Sequence, residues 1–193
     1  MKKKVLKIPS VELLEEELKN VRYRESYLRT LKSTIFALVS VAATTILIAT
    51  LILPVFQIHG NSMTPTLEDG QLIISVKGSS FERGDIIAFY YNNKILVKRV
   101  IATSGEWFDI DESGEITVNG EILNEPYIKE KSKGDCNIAL PYQVPEGKVF
   151  VMGDHRNISI DSRNTAVGCI SEEQIIGKLT VRFWPLDSFG PVE

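Results

Sequence analysis

From Ser33 to Phe56 the chain runs 24 positions without a charged side chain (STIFALVSVAATTILIATLILPVF). At ~1.5 Å per residue a helix of that length reaches roughly 36 Å, enough to cross a ~30 Å hydrocarbon core with some tilt. The run predicts one membrane anchor over 33–56. Before it, Val11, Leu14, Leu18, Val21 and Leu28 recur at helical spacing and form one apolar stripe. They predict a helix within 10–32, with Ser10 after Pro9 as its N-cap. Glu25 and Lys32 interrupt the stripe, so the expectation is a helix resting on the lipid surface rather than a coiled coil, aided by Lys2, Lys3 and Lys4.

Beyond the span the pattern changes period. Short apolar runs rich in β-branched residues occupy Leu72–Val76, Asp85–Tyr91, Ile95–Ala102, Glu115–Val118, Lys148–Met152 and Ile175–Trp184. Turn pairs such as Asn92-Asn93 and Asn119-Gly120 separate them. No long stretch has helical periodicity. The predicted fold class is mostly β: bent antiparallel sheets over 57–193, the size of one compact domain, preceded by one N-terminal transmembrane helix.

Charge orients this arrangement. The whole chain of 193 residues has a formal net charge of −3, with 44% apolar and 24% charged residues. Those values exclude a disordered tail, a collagen-like repeat and a basic nucleic-acid arm, and no nucleic-acid partner is expected. Residues 1–32 carry net +4 and residues 57–193 net −7, and no Lys or Arg follows the span until Lys77. The positive-inside rule predicts a single-pass protein of the cell membrane with its N-terminus in the cytoplasm and 57–193 outside. A cleaved secretory signal fits poorly, because both the segment before the apolar run and the run itself are too long for that class.

Candidate chemistry is narrow. The two histidines, His59 and His155, and the two cysteines, Cys136 and Cys169, have no metal-ligand spacing, and no metal or cofactor is expected. No glycine-rich phosphate loop occurs. Ser62 lacks a G-x-S-x-G elbow because Thr64 stands where the second glycine would be. Lys98 is different. If it sits in a strand, it shares a face with Leu96 and Val100, opposite Arg99. A lysine on an apolar face is desolvated, and its charged form is disfavoured. A neutral amine can then deprotonate a serine hydroxyl. On this segment alone, a surface lysine on an edge strand is the better reading.

Three segments in order shift that balance: Ser62-Met63-x-Pro65-Thr66-Leu67, Lys98-Arg99-Val100-Ile101, and Gly153-Asp154-x-Arg156 with Ser159-x-Asp161-Ser162-Arg163. Together with Gly84-Asp85-Ile86-Ile87, Gly177-Lys178 and Arg182-Phe183-Trp184-Pro185, they resemble the boxes of type I signal peptidases, Ser–Lys endopeptidases that remove signal peptides from exported preproteins. The resemblance implies a membrane-bound serine endopeptidase with Ser62 as nucleophile, Lys98 as general base and Ser159 as the hydroxyl orienting the amine. It implies structural ion pairs Asp161–Arg163 and Arg99–Asp154, and an oxyanion hole using the Ser62 N–H. It also implies that Phe56, Ile58, Met63, Leu96 and Val97 line substrate pockets excluding large side chains, which gives preproteins with Ala-x-Ala sites as substrates. An extended substrate would pair with the strand edges near Ser62 and Lys98. Trp184 and Leu186 could contact membrane lipid, core packing being the alternative for Trp184.

The chain departs from that pattern in places. Some members carry a serine at the position of Gly60. His155 stands where Asn is usual and invites a Ser62–His155–Asp161 triad, a reading that leaves Lys98 and Ser159 idle. His59 replaces a usual Pro beside the groove. Two free thiols are preferred over a Cys136–Cys169 disulfide. Two other functions stay open: a non-catalytic, membrane-anchored β-domain that binds an envelope partner, and a Ser–Lys self-cleaving protease of the repressor type. The apolar anchor disfavours the second.

Overall fold

The structure, a computed structural model, describes residues 10–192. The cluster Lys2, Lys3 and Lys4 expected at the lipid surface lies outside the described residues. The chain forms two compact units, one up to Ala49 and one from Thr50.

The first unit is helical. Helix α1 covers Val11–Ile52 without a break, so the predicted N-terminal helix and the predicted anchor are one element. The reason lies in the sequence: no Gly or Pro occurs between Ser10 and Leu53. None of its residues is buried. Thr44 and Thr45 return their hydroxyls to the carbonyls of Ser40 and Val41 at 2.8 and 2.9 Å, so neither is left unpaired in the apolar stretch. The helix stops at Ile52, before Pro54 and four residues short of the end of the charge-free run. The twenty helical residues from Ser33 to Ile52 still reach ~30 Å.

Among the described residues, the second unit holds twelve strands: β1 (Val55–Gln57), β2 (Leu72–Lys77), β3 (Ile86–Tyr91), β4 (Lys94–Ala102), β5 (Trp107–Ile110), β6 (Ile116–Val118), β7 (Glu121–Ile122), β8 (Tyr142–Gln143), β9 (Lys148–Met152), β10 (Ile170–Ser171), β11 (Ile175–Trp184) and β12 (Gly190–Pro191). The larger sheet runs β1-β2-β11-β3-β4-β9-β10, with β12 on β11; the smaller runs β7-β6-β5-β8. Every pairing is antiparallel. The predicted runs appear as β2, β3, β4, β6, β9 and β11. Val55 and Phe56, counted within the apolar anchor, belong instead to β1.

Apolar residues pack on both faces of the large sheet. Ile86 and Ala88 join Ile58, Met63 and Leu67 on one face, while Ile87 and Phe89 join Val100 and Val151 on the other. Burial on both sides explains why β3 reads as a continuous apolar run rather than an alternating one. Asn92 and Asn93 take φ of 44° and 60°, the left-handed pair that closes the tight β3–β4 hairpin. Strand β4 pairs with β3 from Lys94 to Arg99 but meets β9 only from Arg99 onward. Its first half, Lys94–Lys98, therefore keeps one edge without a β partner. So does β1 at the end of the sheet.

Candidate active site

Ser62 lies in the turn that follows β1. Lys98 closes the unpaired half of β4. The lysine is 5% exposed and its Nζ donates to Ser62 Oγ at 2.6 Å. As expected, it shares a face with Leu96 and Val100, both packed in the cluster around Ile87 and Phe89. Burial lowers its pKa from 10.5 to about 8; the Asp161 carboxylate opposes that shift, Arg163 adds to it and Asp154 opposes it. An amine so placed is neutral in a usable fraction near neutral pH. The Ser62 N–H has no hydrogen bond among the described residues, which leaves it for charge developing on a substrate carbonyl.

Behind this pair stands a frame of buried ion pairs. Arg99 Nε and Nη2 reach Asp154 Oδ1 and Oδ2 at 2.9 and 2.7 Å. Arg163 Nε and Nη2 each reach Asp161 at 2.9 Å. Both are two-point contacts that fix orientation as well as distance. A third pair, Arg156 with Glu125, is equally buried, at 3.1 and 2.5 Å. Tyr127 joins them: its hydroxyl donates to Glu125 at 3.0 Å and its ring lies 3.7 Å from the Arg99 guanidinium carbon. Burial, then the Glu125 charge, raise its phenol pKa. Sequence reasoning missed Glu125 and Tyr127; the only signal was Arg156, a member of the last box without an assigned acid.

In the last loop, residues 153–167 form successive turns that carry Ser159, Asp161 and Arg163. Burial unites them, all three being 2% exposed or less. The Ser159 hydroxyl is buried and has no hydrogen-bond partner among the described residues, so the expected bond to the Lys98 amine is not formed. Gly153 explains the closeness of the parts. A Cβ there would lie 2.2 Å from Ser159 Oγ and 2.4 Å from the Ser62 carbonyl oxygen, and nothing larger than glycine fits.

A groove of about 590 Å³ opens at Ser62 and Lys98 and runs between the unpaired edges of β1 and β4. Phe56, Ile58, Met63, Leu96 and Val97 line it, as the pocket expectation had them, and so do His59, placed only beside it, and Asn93, Lys94 and Ile95, which that expectation lacked. The triad reading fails on geometry. His155 Nδ1 lies 2.8 Å from Thr64 Oγ1, Asp161 is held by Arg163, and Ser62 Oγ is taken by Lys98. Trp184 is half exposed and Leu186 is 72% exposed, against core packing for either. Cys136 and Cys169 are free thiols, both packed on the core of the smaller sheet.

The model of the signal peptidase family, peptidase S26, matches residues 28–184. Signal peptidase IB of Staphylococcus aureus is 38% identical over 154 residues, covering 69% of this chain and 79% of that protein. Signal peptidase I of Bacillus licheniformis is 32% identical over 184 residues, 89% of this chain and 96% of the relative. Among solved structures, a signal peptidase I from Enterococcus faecalis is 29% identical, with a TM-score of 0.44 over 53% of this chain and 98% of its own.

Proposed function

Since the chain belongs to the signal peptidase family, peptidase S26, we propose that Ser62 and Lys98 are the nucleophile and general base with which it cleaves signal peptides from preproteins. It is a membrane-anchored serine endopeptidase. The observation that carries the assignment is the 2.6 Å contact between the Lys98 amine and the Ser62 hydroxyl in a site that disfavours the ammonium.

The steps follow from that contact. Neutral Lys98 accepts the Ser62 proton as Oγ attacks the scissile carbonyl, and the Ser62 N–H faces the oxyanion. The new ammonium then returns a proton to the departing amine of the mature protein. Water attacks the acyl-enzyme, again with Lys98 as base, and frees the signal peptide carboxylate and Ser62. Ser159 supplies a buried hydroxyl that would turn to the amine once Ser62 is acylated. The substrate adds as a strand between the unpaired edges of β1 and β4, which offer main-chain partners. Phe56, Ile58, Met63, Leu96 and Val97 fill the space beside it, so that only small side chains fit one and three residues before the cut, as in Ala-x-Ala. The charge split supports a cytoplasmic N-terminus and an outer catalytic domain, with Trp184 and Leu186 exposed for lipid contact.

Cleavage of a test preprotein by the full chain in detergent decides the assignment. Ser62→Ala and Lys98→Ala should each reduce cleavage to background while binding of an uncleaved substrate persists. Turnover by either variant would overturn it.

A further inference from the structure

The nucleophile turn offers few oxyanion donors. Two residues before Ser62 stands Gly60, without a side chain, and its N–H is committed to Asp69 Oδ1 at 2.6 Å. The Ser62 N–H therefore matters most, and its aim is set by the plane of the Asn61–Ser62 peptide, whose N–H and C=O point opposite ways. The far end of that plane is held twice. Asn61 O accepts the Thr64 N–H at 3.2 Å and the Thr64 hydroxyl at 2.9 Å. Thr64 Oγ1 also lies 2.8 Å from His155 Nδ1. One hydroxyl has one proton to give. With that proton on Asn61 O, the imidazole is the donor, and a chain runs from His155 Nδ1–H to Thr64 Oγ1–H to Asn61 O. The next peptide unit is held by the same residue, because the His155 N–H donates to Ser62 O at 3.1 Å. Both peptide planes flanking the nucleophile thus end on His155.

The geometry points to His155 as a positioning residue that, through Thr64, aims the Ser62 N–H at the oxyanion. The role rests on the Ser62–Lys98 assignment and deepens it. His155 moves no proton to or from substrate; it fixes a dipole before charge develops, when fixing it lowers the barrier most. Each donor in the chain also polarises the next, which strengthens the terminal N–H. Such an effect belongs to the transition state and should appear in kcat rather than KM.

The test is steady-state cleavage of a test preprotein by the full-length chain in detergent. The variants are Thr64→Val, Thr64→Ser, His155→Ala, Thr64→Val with His155→Ala, and Ser62→Ala. Thr64→Val and His155→Ala should each lower kcat about tenfold, the scale of one hydrogen bond, with KM within about twofold. Thr64→Ser keeps the hydroxyl and should keep the rate. The double variant should be no slower than the slower single one, since both cut one chain. Wild-type kcat per folded molecule in Thr64→Val, or losses that multiply in the double variant, would overturn the relay while Ser62→Ala stays inactive. An active Ser62→Ala would instead overturn the dyad beneath it.

Discussion

As the proposed general base, Lys98 must combine two requirements that conflict in water: an amine close enough to take a proton from Ser62, and surroundings in which it is not already protonated. Burial lowers its pKa to about 8, so at pH 7 about one amine in ten is neutral and competent. Turnover should therefore rise through pH 8 and level off above it, and Lys98→Arg should be inactive because guanidinium stays protonated. The same shift acts on stability. The unfolded state, with an ordinary lysine, binds more protons between pH 8 and 10.5, so Lys98 makes the fold more stable as pH rises through that window. A pH–rate profile that is flat from 6 to 9, or an active Lys98→Arg enzyme, would remove the amine from catalysis. The face of Lys98 was legible in the sequence, because side chains in a strand alternate and its neighbours Leu96 and Val100 are apolar. Its distance from Ser62 was not, because the two stand 36 positions apart in the chain and only the folded sheet brings them together.

At the scale of elements, one half-paired strand and one chain of turns make the site. Strand β4 is tied to β9 from Arg99 onward and left open before it, which puts Lys98, the proposed base, where pairing stops. Its short apolar run rich in β-branched residues predicted the strand; where the second partner ends is a matter of register that no local pattern carries. The last loop shows the opposite case. Its residues were identified, but no local pattern carried its shape: turns bring Ser159, Asp161 and Arg163 together around Gly153. The loop is anchored from the side of the smaller sheet by Glu125, whose partner Arg156 has no exposed side-chain surface. Removing one partner of a buried pair strands the other charge, which costs about 3–5 kcal/mol. Glu125→Ala should thus lower the thermal midpoint sharply, while Glu130→Ala, whose carboxylate meets Asn157 at only 3.4 Å near the surface, should leave it within about a degree. Equal midpoints for wild type and Glu125→Ala would mean the pair does not hold the loop.

For the whole molecule, the anchor decides where cleavage happens. An apolar helix alone has no sense of direction; the asymmetry comes from what flanks it. Nine basic residues precede Ser33, and none follows until Lys77, while the catalytic unit is acidic. Moving the N-terminal cluster across a bilayer would cost far more than moving a loop without cations, and the membrane potential adds to the same bias. Helix α1 passes from charged to apolar sequence without a break, so Lys19, Arg22, Arg24, Arg29 and Lys32 belong to the same helix as the span. This predicts that protease added outside intact cells digests the region after residue 57 and leaves an N-terminal fragment of about residues 1–56 protected. Opening the cells should then expose residues 1–32 as well. A second set makes the cause testable: replacing Lys19, Arg22, Arg24, Arg29 and Lys32 by Gln should leave the catalytic unit's fold untouched and yet render part of the population protected from outside. If the substituted chain is digested as completely as the wild type, the cationic segment does not set the orientation, even if the orientation itself is right.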